Sequence, residues 1–162
     1  MTAHQMIRSP GTLTILLVVL LLAAVPFSPS TAATLGNAPL VLPAGMQLVP
    51  AYEASPVKGP VRARGAVIWS HGRSIDSEDQ QAATPLYLQR LRDAGWDVYR
   101  LNRLRRVDTL TASSAALADA GIGLKRRGYR QVVLTGQSFG AFLALMAAGI
   151  TDHIDAVIGT AP

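Results

Sequence analysis

No cysteine occurs in the 162-residue sequence. That excludes disulfide staples, and it excludes a lipid-modified cysteine behind a leader, so an exported form must be held by its packed core alone. Aromatic residues are scarce, at 6%, and are not interleaved with the basic ones. Without stacking platforms beside the charge, a net +5 does not point to nucleic acid as a partner. Most of the basic excess lies in two stretches, Arg100, Arg103, Arg105 and Arg106, and Lys125, Arg126, Arg127 and Arg130. Internal repeats and low-complexity segments are absent.

Long apolar runs are also missing. Leu13–Val25, broken by Thr14, spans about 13 residues, short of the roughly 20 that a membrane-spanning helix needs. Arg8 precedes it, and Pro26, Pro29 and the small residues Ser30-Thr31-Ala32-Ala33 follow. A short positive region, an apolar centre and a small-residue site are the three parts of a secretory signal peptide. Residues 1–33 are therefore expected to be removed after Ala32 or Ala33. The product would be periplasmic or secreted, with no stable membrane anchor. About 130 residues remain, enough for a modest core.

Residues 34–64 are rich in Pro, Gly and Ala and read as a lead-in with short strands near Pro39–Leu42 and Met46–Tyr52, then a turn at Ser55–Pro60. Residues 65–162 carry the core. Gly65–Ser70 is an apolar run of the kind buried on both faces of a sheet, and it ends in His71-Gly72-Arg73-Ser74. Pro85 suits the first turn of a helix capped by Thr84, and Gly95 closes it. A strand at Asp97–Leu101 leads into the arginine-rich loop. Thr109 or Thr111 caps the next helix, which Gly121 and Gly123 weaken by about 1 kcal/mol each and Gly128 ends. A strand at Gln131–Thr135, a helix to about Ala148 and a strand at Ile154–Ile158 complete the pattern. The alternation predicts an α/β fold, a mostly parallel sheet with helices on both faces.

The stretch that organises the rest is Val132-Val133-Leu134-Thr135-Gly136-Gln137-Ser138-Phe139-Gly140-Ala141. An apolar strand runs into Gly-x-Ser-x-Gly, and an apolar helix former follows, which is the context of a nucleophile elbow. Such a turn crowds the positions two residues either side of the serine, and Gly136 and Gly140 meet that demand. Ser138 is then presented at the amino end of a helix, with the Phe139 N–H aimed at a developing oxyanion. Gln137 lines the site or packs beside the turn.

With His71-Gly72 some 65 residues before this turn, the sequence resembles the α/β-hydrolase family over Gly65–Pro162, its central strands three to six. The resemblance implies an incomplete α/β-hydrolase fold, similar to small exported bacterial serine esterases. It implies Ser138 as nucleophile and the Arg73 N–H, after Gly72, as a second oxyanion donor. His71 would brace the loop, or act as base with Asp76 or Asp108 as its acid. The family places acid and base after the nucleophile, beyond later strands, and the sequence ends at Pro162 before either position. His153, Asp152 and Asp155 fall at the opposite end of a parallel sheet, about 17 to 20 Å away. Ala156–Gly159 would form a bare apolar edge that further strands would cover.

Two functions fit. One is a serine hydrolase acting on a small-molecule ester or similar acyl bond, without cofactor or metal, represented by its front portion and nearly inactive alone. The other is a non-catalytic exported binding module on a reduced sheet. The arginine loop at Arg100–Arg106 reads as a solvated turn paired to Asp97, Asp108 or other carboxylates, or else as an attractor of acidic substrates. Oligomeric state has no marker in the sequence. For the leader, amino-terminal sequencing of protein recovered from the periplasm or medium of an expressing bacterium is expected to begin at Ala33 or Thr34.

Overall fold

The computed structural model describes residues 40–73 and 82–160. The expected signal peptide, 1–33, lies outside the described residues. The order of elements is β1 (Leu40–Val41), β2 (Gln47–Pro50), β3 (Ala66–Ser70), α1 (Leu86–Asp93), β4 (Asp97–Asn102), α2 (Leu110–Arg126), β5 (Val132–Gln137), α3 (Phe139–Ile150) and β6 (Ala156–Thr160). They build one six-stranded sheet in the order β1-β2-β4-β3-β5-β6. The last four strands in that order are mutually parallel, and β1 and β2 add antiparallel to the β4 side. The lead-in strands therefore belong to the same sheet as the core.

Period-two alternation along these strands sends side chains to two different cores. Ala66, Ile68, Tyr99, Leu101, Val132 and Leu134 pack with Ala116, Leu117, Ala120 and Leu124 of α2 and Leu143, Ala144 and Ala147 of α3. Val67, Trp69 and Val98 pack on the other face with Leu88 of α1. All five β3 residues are buried, as the uninterrupted apolar run requires of a central strand. This is the α/β architecture with helices on both faces that the alternation predicts.

Local signals explain most element ends. Gly95 at φ +100 and Gly128 at φ +98 stop α1 and α2. In each case the glycine N–H and the next residue's N–H reach back to two orphan carbonyls, Arg92 and Leu91 for α1, Lys125 and Leu124 for α2. Thr109, not Thr111, caps α2, accepting from Ala112 N at 3.1 Å. Thr84 is not the cap of α1: Pro85 itself holds that position with extended ψ 147. Its carbonyl takes the first helical bond, from Leu88 N at 3.0 Å. The two glycines within α2 also have a packing role. A Cβ on Gly121 would strike the Ile154 side chain, and one on Gly123 would lie 2.5 Å from Leu40 Cδ2. The lost helix propensity is the condition for β1 and the β6 approach to dock.

β6 starts two residues later than the periodicity suggests, because Asp155 is used as an anchor. Its N–H donates to Val132 O, and its carboxylate accepts from Val132 N at 2.6 Å and from Lys125 Nζ. At the same end of the sheet, buried Asp97 accepts from the Lys58 and Gly59 N–H groups and from the Tyr129 hydroxyl, tying the lead-in down. Partial burial pushes the Asp155 carboxyl upward, but the hydrogen bonds from Lys125 and Val132 and the Lys125 charge outweigh it and hold it below 3.8. A depressed folded value means stability that is present above the unfolded pKa and lost as pH falls through the folded one. Asp155→Asn should therefore cost about 0.5–1 kcal/mol at pH 7, a small amount for a screened, half-exposed pair. Denaturant melts at several pH values should show the gap between variant and wild type closing below about pH 4.

Candidate active site

β5 is flanked on both sides where it ends. Ser70 of β3 is in register with Gly136, and Thr160 of β6 with Gln137. Beyond Gln137 the chain reverses within one residue and α3 begins at Phe139. Ser138 carries φ 50 and ψ −121 and is the only non-glycine residue with positive φ among the described residues. Such a conformation costs about 1–3 kcal/mol and persists only where its surroundings impose it. Here Ser138 N donates to Thr160 O at 3.1 Å, and Ser138 O accepts from Ala141 N at 2.8 Å.

The steric reason for both glycines is direct. A Cβ on Gly136 would collide with the Gly140 carbonyl, and a Cβ on Gly140 would collide with the Ser70 carbonyl and lie 2.6 Å from His71 O. All of these obstacles are backbone, so none can move aside. The first turn of α3 thus rests on the ends of β3 and β5 with no side chain between. Ser138 itself is exposed, and its side chain does not cap α3 although it holds the cap position. A serine in that place ordinarily accepts from the helix's own N–H groups. Here the Phe139 and Gly140 N–H groups have no backbone acceptor among the described residues.

The loop after β3 passes beside this bend. A Cβ on Gly72 would sit 3.5 Å from Ser138 Cβ and 3.4 Å from Gln137 O, so Gly72 lies directly against the serine. Arg73 follows, with an exposed side chain whose Nη1 donates to Asp108 O at 3.0 Å. Its guanidinium lies over the Phe139 ring at 5.6 Å, and that of Arg103 lies over the same ring at 5.3 Å. His71 is buried, with Nδ1 2.7 Å from Gly72 O and 2.9 Å from Arg103 Nη2. The imidazole Nδ1 is therefore engaged with its own loop and with Arg103.

Arg103 is the residue that sequence reasoning misplaced. The loop after β4 reads as a solvated turn with arginines paired to carboxylates; the pairing to Asp108 is present at 3.5 Å, but the Arg103 side chain is fully buried and its partner is buried too. Its Nη2 donates to His71 O at 2.8 Å and Gly72 O at 3.0 Å, and its Nη1 to Ser70 Oγ at 3.3 Å. Asp108 in turn accepts from Ser113 Oγ at 2.6 Å. One buried cation thus grips two successive carbonyls of the loop that passes beside Ser138. Breaking a buried pair of this kind typically costs about 3–5 kcal/mol. Asp97, the other expected arginine partner, is at the far end of β4 and holds the lead-in instead. The one sequence clue was position: an arginine placed immediately after a central strand.

Other expected acids and bases do not converge on Ser138. His153 is exposed, 2.9 Å from Asp152 Oδ1, in the turn before β6 and so at the opposite end of the sheet. Asp155 is beside it in sequence, bonded to the start of β5. Asp108 is committed to Arg103 and Ser113, and Asp76 lies outside the described residues. Among the described residues no group of His, Cys, Asp and Glu is placed to hold a metal ion, and no helix is long and apolar enough to cross a membrane.

No family model matches the sequence, and no curated protein does. Solved structures do. A Staphylococcus aureus protein of unknown function superposes with a TM-score of 0.54 at 20% identity, over 75% of this chain and 44% of that one. The fold is what they share. A mature Bacillus licheniformis lipase also matches, with a TM-score of 0.48, 21% identity and coverage of 68% of this chain and 46% of that one. An esterase from Thermogutta terrifontis gives 0.47 at 16% identity, over 67% and 42%. The chain spans less than half the length of each of these proteins.

The bend predicts opposite outcomes for two Gly→Ala changes in the same helix. Gly140→Ala meets backbone on contact and should abolish cooperative folding, read as loss of the thermal transition by circular dichroism. Gly149→Ala meets nothing within 4 Å and should be neutral or stabilise by up to about 1 kcal/mol through helix propensity.

Proposed function

We propose that this chain carries the nucleophile half of an exported serine hydrolase of the α/β type, acting on an ester or similar acyl bond. The observation that supports it most is the exposed Ser138 in a positive-φ bend, built against backbone by Gly136 and Gly140. In this reading Ser138 Oγ attacks the substrate carbonyl. The N–H groups of Phe139 and Arg73 receive the oxyanion, and losing one such donor typically costs about 3–4 kcal/mol of transition-state stabilisation. Gly72 lets the Arg73 segment approach the serine, and His71 braces that segment. The hydrolase resemblance stated from the sequence supplies the reaction class.

A serine hydroxyl needs a general base, oriented by an acid, to attack at useful rates. His153 and Asp155 sit at the opposite end of the sheet and Asp108 is paired with Arg103, so in this proposal base and acid come from polypeptide beyond the described residues. The 162-residue chain by itself is then expected to turn over poorly.

The test is acylation without turnover. An activated ester such as p-nitrophenyl acetate, incubated with the purified chain, should add one acetyl group at Ser138, slowly and with no steady-state release. Mass spectrometry locates the adduct. Ser138→Ala should lose it while keeping its thermal transition, because among the described residues the side chain bonds nothing that holds the bend. An adduct at other residues with Ser138 unmodified would favour a binding module. Fast, sustained hydrolysis abolished in Ser138→Ala would show that a base is already within reach.

A further inference from the structure

A concavity well away from Ser138 lies on the other face of the sheet's antiparallel side. It is an open groove of about 760 Å³, within the usual size range of small-ligand sites. It lies beside α1, lined by the β2–β3 connection from Ala51 to Pro56 and by Arg92, Arg100 and Asn102. Arg100 is in register with Trp69 of β3 and Val49 of β2, so it stands on the face that α1 covers. Arg92 comes from the last turn of α1 and stacks on Tyr52 at 4.8 Å.

A hydrogen-bond inventory of this lining is lopsided. Arg100 Nε donates to Asn102 Oδ1 at 2.9 Å, which uses the acceptor of that amide and leaves its NH₂. The Nη hydrogens of Arg100 have no acceptor among the described residues, and no carboxylate there pairs with its charge. Arg92 spends Nε and Nη2 on Asp93 and keeps Nη1. The Tyr52 hydroxyl is buried and without a hydrogen-bond partner among the described residues, a state that native structures rarely leave unexplained. Burial, outweighing the nearby Arg92, raises that phenol above its usual 10.0, so it keeps its proton to donate. Glu53, the one carboxylate of the lining, is exposed to solvent. Donors therefore outnumber acceptors along this lining, and a group that only accepts would satisfy them.

We propose that this groove is a binding site for a small anionic ligand, whose carboxylate or phosphate group is held by Arg100, Arg92, Tyr52 and the Asn102 amide. Both groups are acceptor-only oxyanions with a geometry that guanidinium donors match. The site is separate from Ser138 and does not depend on the hydrolase proposal. It lies over β4 and β2, whereas the serine is at the end of β5, on the other side of β3.

The experiment titrates the ¹⁵N-labelled full chain with inorganic phosphate and, separately, with acetate, chloride holding ionic strength constant. Saturable shifts confined to residues 49–56, 92 and 100–102 are expected, in the millimolar range. Arg100→Gln should weaken binding about tenfold, as expected for a charge-assisted contact, and Tyr52→Phe about threefold. Tighter phosphate binding assigns a phosphate ligand, and tighter acetate binding a carboxylate. If Arg100→Gln misfolds, Arg92→Gln and the wild-type shift map carry the test. Absence of saturable shifts at these positions with either anion overturns the proposal, as does wild-type affinity in folded Arg100→Gln.

Discussion

The contact on which the molecule turns contains no side chains. Gly136 and Gly140 bring the first turn of α3 against the carbonyl ends of β3, closer than any Cβ allows. Packing at that distance leaves no slack, so the position of Ser138 is fixed by peptide planes and not by rotamers. Its unfavourable φ is then imposed by the hydrogen bond from its N–H to Thr160 and by the helix bonds that its carbonyl accepts. The strain is local, while the structure that sustains it spans three strands and a helix.

Around this rigid centre the chain spends a buried charge. The Arg103–Asp108 pair is costly to desolvate and would be a weak source of stability taken alone. Its geometric effect is larger. By holding the carbonyls of His71 and Gly72, Arg103 sets where the loop after β3 lies relative to Ser138. Through Phe139, whose ring lies beneath both Arg103 and Arg73, the same cation is coupled to the residue that follows the serine. Loop and bend are thereby referenced to one buried group.

Sheet polarity sorts the remaining polar residues. Four parallel strands give the sheet two chemically different ends. The carboxyl end holds the bend, the His71–Arg73 loop and Arg103. The amino end holds Asp97 with Tyr129 and Asp155 with Lys125, groups that seat chain segments. His153 falls with the second set because it precedes β6. This separation, more than any distance in sequence, keeps it away from Ser138.

Much of this was legible in the chain itself. Apolar runs of strand length, helical spacing closed by Gly95 and Gly128, and a glycine either side of Ser138 each act over a few residues, so local sterics and propensity determine them. The alternation of those elements also determined the parallel sheet, since short crossovers allow few topologies. Tertiary structure decided what depends on residues far apart: that Asp155 becomes an anchor and delays β6, and that Gly121 and Gly123 make room for Ile154 and Leu40. It also decided that Arg103, the arginine directly after β4, is swallowed beneath the loop at His71, 32 residues earlier. A side chain's burial is set by what folds over it, and no local pattern in the sequence carries that information.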